Sequence, residues 1–177
     1  MSETAERHKA EAPRSLSFAV ITCSTSRYKE FSETGRLNDP SGDIIVKALR
    51  ENGHRVTMRR IVSDEKTQIQ RVLMRAVKSR KTDVIITSGG TGISPRDVTI
   101  EAVQPLLEKE IPGFGEIFRI LSYEKIGSAA VLTRALAGVA KGKVIFCLPG
   151  SPQSVSLALE KLIIPEAGHL VKHAREE

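Results

Sequence analysis

Aromatic side chains are scarce in this sequence. They make up 4% of the 177 residues, and tryptophan is absent. Stacking platforms for the bases of single-stranded RNA or DNA are therefore poorly supplied. The formal net charge of +6 comes from basic residues that are spread along the chain. We therefore expect no nucleic-acid partner, and the positive charge suits a small, strongly anionic ligand instead.

Long apolar runs and secretory features are also missing. No segment approaches the roughly 18 apolar residues of a membrane-spanning helix, so we expect no membrane association. Residues 1–14 lack the apolar centre of a secretory signal and are predicted to be a flexible polar tail before a single domain, residues 15–177. Cys23 and Cys147 lie in apolar, strand-like runs and are predicted to be buried free thiols, as expected in the reducing cytoplasm.

Motifs for metal binding and for nucleophilic catalysis are not found either. The sequence has no CxxC or HExxH pattern, its four histidines are scattered, and nothing indicates a Ser-His-Asp or Cys-His arrangement. The most unusual stretch is TSGGTGISPRD, residues 87–97, which combines three glycines with an arginine and an aspartate. Any chemistry is therefore expected to involve glycine-rich turns and carboxylates.

Hydrophobic periodicity predicts strands that alternate with helices. The predicted strands are residues 16–23, 54–62 and 83–87, followed by a hairpin of residues 133–140 and 143–149. The predicted helices are residues 39–53, 63–81, 98–110, 113–125 and 151–163. Residues 24–38 are predicted to form a long loop.

Local signals support several of these boundaries. Asp39 and Ser151 are predicted helix caps, each followed by a proline at the first helical position. Residues 141–142, Lys-Gly, are the predicted corner of the hairpin. The expected fold class is α/β, a three-layer α/β/α arrangement with a mixed, mostly parallel sheet of about five strands.

Ligands of open α/β sheets bind beyond the carboxyl ends of the strands. Four loops lie there, after Cys23, Val62, Thr87 and Leu148. In the third of these loops, residues 89–92 (Gly-Gly-Thr-Gly) are expected to bring backbone N–H groups close to phosphate oxygens. A plain strand–turn–helix connection would use glycines too, so both interpretations stay open from this motif alone.

Carboxylates follow two of the predicted strands. Asp97 lies beyond the glycine loop, and Asp64 lies at the preceding crossover. Either residue would serve as a helix cap, but beside a bound phosphate a carboxylate would repel the ligand. A bridging Mg²⁺ removes this conflict, because carboxylates and phosphate oxygens are both ligands of this cation. Two carboxylates, Mg²⁺ and backbone amides are sufficient for phosphoryl transfer.

Taken together, these residues resemble the MoaB/MogA family of molybdenum cofactor biosynthesis, and most of all its MoaB-type members. The resemblance extends from about residue 16 to the C terminus, and the order and spacing of five stretches carry it. They are DPSG (39–42), VSDE (62–65), TSGGTGISPRDVT (87–99), LTRALAG (132–138) and LPGSP (148–152).

The resemblance implies an enzyme, a molybdopterin adenylyltransferase. Its substrate would be molybdopterin, a phosphorylated pterin that bears a dithiolene. The enzyme would adenylylate it with Mg-ATP and release pyrophosphate, before molybdate or tungstate is inserted. The resemblance also implies the three-layer fold, a homo-oligomer (trimer or hexamer), and a molybdate-inserting enzyme of the same pathway as a partner.

The family's motifs also imply site residues. Asp64 and Asp97 match the functional aspartates, and they would be catalytic and would hold the metal of Mg-ATP. The candidate residues for binding molybdopterin or ATP are Ser24, Ser41, Gly89, Gly90, Thr91, Gly92, Thr133, Gly150 and Ser151. Proven pterin-adenylylating relatives often carry asparagine where this chain has Cys147. A non-catalytic molybdopterin-binding or assembly protein of the same fold is therefore the alternative.

Overall fold

The computed structural model describes residues 12–176, so most of the predicted tail, residues 1–11, lies outside the described residues. The strands are β1 (Ser17–Cys23), β2 (Arg55–Val62), β3 (Val84–Ser88), β4 (Lys109–Glu110), β5 (Leu136–Ala140) and β6 (Lys143–Leu148). They form a six-stranded sheet in the order β2-β1-β3-β6-β5-β4. The pairs among β2, β1, β3 and β6 are parallel, and β5 pairs antiparallel with both β6 and β4.

Helices cover both faces of this sheet. They are α1 (Thr25–Thr34), α2 (Pro40–Glu51), α3 (Lys66–Lys78), α4 (Thr99–Val103), α5 (Pro112–Ile126), α6 (Pro152–Ala158) and α7 (Ile164–His173). Short 3-10 turns follow α4 and α5, and a π-helical turn joins α6 to α7. Within residues 12–176, every helix is too short or too polar to cross a lipid bilayer.

Alternate residues of the central strands face opposite helix layers. Along β1, Phe18 and Val20 pack against α2, α5 and the C-terminal helices, whereas Ala19 and Ile21 pack against α3 and α4. All four side chains are fully buried, which explains the continuous apolar run in the sequence. The predicted three-layer α/β/α fold with a mixed, mostly parallel sheet is therefore confirmed.

Two helix starts follow the predicted capping residues. The carboxylate of Asp39 accepts a hydrogen bond from the N–H of Gly42 at 3.0 Å, and Pro40 is the first residue of α2. Ser151 caps α6 in the same way, with Pro152 first in the helix. These caps satisfy backbone N–H groups that have no partner within the helix. Both predictions are confirmed.

The hairpin corner is also confirmed. Lys141 and Gly142 both have positive φ angles, 51° and 68°, as a two-residue hairpin turn requires. The turn places β5 antiparallel beside β6 at the end of the parallel part of the sheet.

The predicted loop over residues 24–38 is wrong, because it contains α1. This helix has no buried residue, so its sequence lacks the apolar stripe that reveals a helix. Its ends are set by local chemistry instead: Ser24 caps the first turn, and Gly35 adopts a left-handed conformation (φ 67°) after the last turn.

The predicted helix over residues 98–110 is also only partly correct. The α-helix ends at Val103, and Pro105 lies in the 3-10 turn that follows it. Lys109 and Glu110 then form β4 by pairing with β5. This two-residue edge strand is why the sheet has six strands and not about five.

A buried aspartate connects three elements below the carboxyl edge of the sheet. Asp39 is 1% exposed, and its Oδ2 accepts hydrogen bonds from Thr22 Oγ1 at 2.8 Å and from Arg59 Nη2 at 3.1 Å. Its Oδ1 is occupied by the N–H of Gly42. Because both oxygens are satisfied, the buried charge is stabilised, and it joins β1, β2 and the start of α2.

Replacing Gly42 with alanine should disrupt this network. A Cβ there would lie 1.9 Å from Asp39 Oδ2, so the carboxylate would have to move. We expect Gly42→Ala to lower the free energy of unfolding by about 1–3 kcal/mol, measured by denaturant unfolding followed by circular dichroism. Gly113→Ala is the matched control, because no atom lies within 4 Å of a Cβ at that position. Equal stability of the two variants would contradict this account.

Candidate active site

The loops that follow β1, β2, β3 and β6 enclose a polar cavity at the carboxyl edge of the sheet. Its volume is about 240 Å³. It is lined by Thr22, Cys23, Ser24, Arg27, Ser41, Asp64, Ser88, Gly89, Gly90, Asp97 and Gly150. A larger cavity, about 390 Å³, lies between α5 and the C-terminal helices, but none of the predicted site residues lines it. The smaller cavity is therefore the candidate site.

Two glycines in its wall occupy positions that no other residue fits. Gly89 has a φ of 94°, and a Cβ on it would lie 2.3 Å from the carbonyl oxygen of Cys23. Gly90 has a φ of 62°, and its Cβ would lie 2.4 Å from Thr99 Oγ1 and 3.0 Å from Asp64 Oδ1. Positive φ and close packing both require glycine here. At these two positions the wall is therefore bare backbone, as a phosphate cradle needs.

Asp64 lies at the start of the crossover that follows β2, and Thr25 orients it. Asp64 Oδ2 accepts hydrogen bonds from the N–H of Thr25 at 2.8 Å and from Thr25 Oγ1 at 2.9 Å. The N–H of Asp64 donates back to Thr25 Oγ1 at 3.0 Å. The other oxygen, Oδ1, is buried and has no hydrogen-bond partner. One oxygen of this carboxylate is thus anchored, and the other has no hydrogen-bond partner within the protein.

Asp97 reaches the same cavity from the loop between β3 and α4. Its Oδ2 accepts a hydrogen bond from the N–H of Ser94 at 2.9 Å and would lie 2.7 Å from a Cβ on Gly92. The N–H of Asp97 donates to the carbonyl of Ser94 at 2.8 Å. The loop therefore closes on itself and holds this carboxylate at the cavity, where Asp64 also lies.

The wall chemistry fits a cation that arrives with an anionic ligand. Asp64 Oδ1 and Ser88 Oγ are buried in the cavity wall without a hydrogen-bond partner, which costs free energy until a ligand supplies one. Among the described residues, no group of three or more His, Cys, Asp and Glu side chains could hold a metal ion. The carboxylates of Asp64 and Asp97 are oxygen donors, so they fit a Mg²⁺ ion whose other ligands are phosphate oxygens and water.

The structure brings most, but not all, of the predicted binding residues to this cavity. Ser24, Ser41 and Gly150 line it together with Gly89 and Gly90. The Ser41 hydroxyl donates a hydrogen bond to the carbonyl of Gly150 at 2.7 Å, which connects α2 to the loop after β6.

Four predicted binding residues are not part of the lining: Thr91, Gly92, Thr133 and Ser151. Thr91 is buried, and Gly92 packs against the Asp97 carboxylate. Thr133 follows the 3-10 turn after α5, and Ser151 is an exposed helix cap. Binding roles for these four residues stay predictions.

The sequence patterns missed two residues on α1 that contact or line the candidate site. Thr25 orients Asp64, and Arg27 lines the cavity while its Nη1 donates to the carbonyl of Asn38 at 2.8 Å. Both lie in the segment predicted to be a loop. The available signal was Ser24, a helix-capping residue directly after a strand, which would have pointed to a helix at the cavity.

The two cysteines are free and deeply buried, as predicted. Burial raises the pKa of the Cys23 thiol to about 12, and it raises the pKa of the Cys147 thiol to about 12 as well. Cys147 packs in the apolar layer between the sheet and the helices α3 and α4, and it does not line the cavity. The departure from the family at residue 147 therefore changes the core beneath the site and not the lining of the cavity.

Comparison with known proteins assigns the chain to a family. Residues 19–169 match the family described as "Probable molybdopterin binding domain". Because the match covers most of the sequence, the protein belongs to this family of molybdopterin-binding domains.

Relatives with MoaB-type names match the chain along nearly its whole length. It is 47% identical to "Molybdenum cofactor biosynthesis protein B" of Bacillus subtilis (strain 168), over 97% of this chain and 98% of the relative. It is 46% identical to "Molybdopterin adenylyltransferase" of Pyrococcus furiosus, with the same two coverages. The predicted resemblance to the MoaB/MogA family is confirmed.

Solved structures agree with this assignment. A crystal structure of "Molybdenum cofactor biosynthesis protein B" superposes with a TM-score of 0.84 at 44% identity, covering 94% of this chain and 100% of that one. The tungsten cofactor synthesizing protein MoaB from Pyrococcus furiosus has a TM-score of 0.83 at 44% identity, covering 93% and 100% of the two chains.

Both thiols should resist alkylation while the protein is folded. A thiol with a raised pKa stays protonated at mildly alkaline pH, and only the thiolate reacts. We expect intact mass spectrometry to find no iodoacetamide adduct on the folded chain and two adducts after unfolding in guanidinium, one for each cysteine. Rapid labelling of either cysteine in the folded protein would contradict the burial described above.

Proposed function

We propose that the protein is a molybdopterin adenylyltransferase of molybdenum cofactor biosynthesis. An oxygen of the molybdopterin phosphate attacks the α-phosphorus of ATP, the bond to the bridging oxygen of the β-phosphate breaks, and pyrophosphate leaves. The observation that carries the proposal is the meeting of Asp64 and Asp97, from two separate crossovers, at one glycine-lined cavity. Full-length relatives named for this activity support it.

The phosphates are proposed to lie against the backbone of the glycine loop. The N–H of Gly89 is already bonded to the carbonyl of Leu148 at 3.0 Å, so the amide of Gly90, which also lines the cavity, is the one proposed to face the ligand. Arg27 adds a positive charge to the lining of the cavity, where it would pair with a phosphate oxygen. Ser24, Ser41 and Gly150 are proposed as further contacts because they line the same space.

The two aspartates are proposed to hold Mg²⁺ and not to act as general bases. A phosphate monoester has its second pKa at about 6, so the attacking oxygen is largely deprotonated at neutral pH and needs no base. Asp64 would offer its Oδ1 to the cation, while Thr25 keeps the other oxygen in place. When bound, Mg²⁺ would neutralise charge on the phosphate oxygens and keep the reacting groups aligned.

Asparagine variants of the two aspartates test this function. Each of Asp64→Asn and Asp97→Asn keeps the side-chain size but removes the charge that binds the cation. We expect pyrophosphate release from molybdopterin and Mg-ATP to fall at least about 100-fold, since a metal ligand contributes several kcal/mol to transition-state stabilisation. The measurement is the initial rate of pyrophosphate formation, together with mass spectrometry of the adenylylated pterin.

The matched control is Glu65→Gln. Glu65 is an exposed acidic residue next to Asp64, its side chain accepts a hydrogen bond from Gln68, and it does not line the cavity. Its rate should equal that of the wild type. If the wild type binds molybdopterin but forms no more product than the Asp64→Asn/Asp97→Asn double variant, the non-catalytic binding or assembly protein is the correct function.

We also propose that the protein is a homo-oligomer, a trimer or a hexamer. Large apolar side chains are exposed on α5 and on the 3-10 turn after it, and such a patch usually marks an interface. They are Ile117, Ile120, Tyr123, Ile126, Val131 and Leu132. Val131 is 83% exposed in the isolated chain, which is an unfavourable position for a valine in water.

Light scattering coupled to size-exclusion chromatography tests the oligomer. We expect the wild type to have three or six times the mass of one chain. An Ile120→Glu/Tyr123→Glu variant should shift towards the monomer, because it would bury charge in the apolar interface. Glu124→Gln, an exposed polar position on the same helix, should leave the mass unchanged. A monomeric wild type would refute this proposal.

A cytoplasmic location is proposed as well. Its support is the state of Cys23 and Cys147, which are free thiols inside the protein and form no disulfide with each other. The product would then be consumed by a molybdate- or tungstate-inserting enzyme of the same compartment.

A further inference from the structure

Two histidines meet at the C-terminal end of α7, and neither lines the candidate active site. His169 and His173 are four residues apart, so they lie on the same face of the helix. Their Nε2 atoms are 3.0 Å apart, and their rings meet edge to face with 4.7 Å between centroids. Neither residue belongs to a motif of the family resemblance, and neither lines the 240 Å³ cavity.

Each imidazole has a carboxylate next to its other nitrogen. His169 Nδ1 lies 3.2 Å from Glu166 Oε2, and His173 Nδ1 lies 2.7 Å from Glu176 Oε2. A carboxylate accepts a hydrogen bond from a protonated nitrogen, so both contacts favour the Nδ1–H tautomer and leave the lone pair on Nε2. A carboxylate behind an imidazole is also the arrangement that orients metal-binding histidines in proteins.

The two lone pairs would then face each other across 3.0 Å. This is unfavourable unless a positive charge lies between them, either a shared proton or a metal ion bound by both nitrogens. Imidazole nitrogens bind such ions at about 2.0–2.1 Å, so two ligands of one ion lie about 2.9 Å apart at a right angle and about 3.4 Å apart in a tetrahedron. The observed separation falls inside this range.

We propose that His169 and His173 form a binding site for one divalent metal ion such as Zn²⁺ or Ni²⁺. Imidazole suits these ions, whereas Mg²⁺ prefers oxygen ligands, so the site would not compete for the cation of the active site. The side chains are 25% and 46% exposed, which leaves room for water as the remaining ligands. Within residues 12–176 no set of three or more ligating side chains could hold a metal, so the two imidazoles are the protein ligands proposed from the described residues.

The location suggests what the metal does. Just after the pair, Arg175 bonds to Asp83 at 2.6 Å and to the carbonyl of Gly142 at 3.1 Å. Asp83 and Gly142 immediately precede β3 and β6, so this end of the helix lies at the edge of the sheet opposite the candidate active site. A cation there would join two turns of α7 and would also interact favourably with the negative end of the helix dipole. The metal therefore stabilises the C-terminal end of the fold.

The test uses the full chain without an affinity tag, treated with a chelator and then titrated with Zn²⁺ or Ni²⁺ by calorimetry. We expect one ion to bind per chain and the melting temperature to rise with metal concentration. His169→Ala and His173→Ala should each weaken binding at least tenfold and remove the rise. His8→Ala is the matched control and should behave as the wild type. Glu166→Gln keeps both imidazoles and should weaken binding about tenfold, as loss of an orienting carboxylate does.

A second measurement does not depend on any variant. In the folded wild type, imidazole ¹⁵N NMR should show the Nε2 signals of two histidines shifting together as the metal is added. If these signals do not move, or if the wild type binds no more metal than the His169→Ala/His173→Ala double variant, the proposal is overturned. The pair then shares only a proton.

Discussion

Three loops meet backbone against backbone at the carboxyl edge of the sheet. A Cβ on Gly89 would lie 2.3 Å from the carbonyl oxygen of Cys23, and a Cβ on Gly150 would lie 3.1 Å from the Cα of Gly89. The N–H of Gly89 is also bonded to the carbonyl of Leu148. This contact sets the ends of β1, β3 and β6 relative to one another, and so it decides where every residue beyond them lies. The cavity and its cradle depend on the absence of side chains at these two glycines.

Two aspartates near this edge have opposite roles, and their hydrogen bonds distinguish them. Both oxygens of Asp39 are satisfied by groups of the protein, so its charge stabilises the fold. Asp64 has one oxygen anchored twice by Thr25 and the other buried without a partner. An unsatisfied buried oxygen costs stability, and such a cost is tolerated where a ligand removes it. The position of α1, which carries Thr25, is therefore part of the chemistry of the site.

Elements with a strong local or periodic signal follow from the sequence, and the exceptions have identifiable causes. The caps at Asp39 and Ser151 and the corner at residues 141–142 act through neighbouring residues, so the sequence predicts them well. The helix α1 buries no residue and therefore has no apolar stripe to reveal it. The strand β4 has two residues and exists because it pairs with β5, a contact that no local pattern encodes. Thr25 and Arg27 lie on α1, so they were not predicted as site residues because the helix itself was not predicted.

The sequence by itself determined the layered α/β fold, the family, and the choice of two carboxylates and a glycine loop as candidate site residues, because these depend on residue type and order. Only the tertiary structure decided that Asp64 and Asp97 share a cavity, that one oxygen of Asp64 is buried without a hydrogen-bond partner, and that Cys147 faces the core. It also decided that Thr133 does not line the cavity, although its motif matches the family. Residues from separate crossovers become neighbours only when the strands between them pair in register, and that register is a property of the assembled sheet.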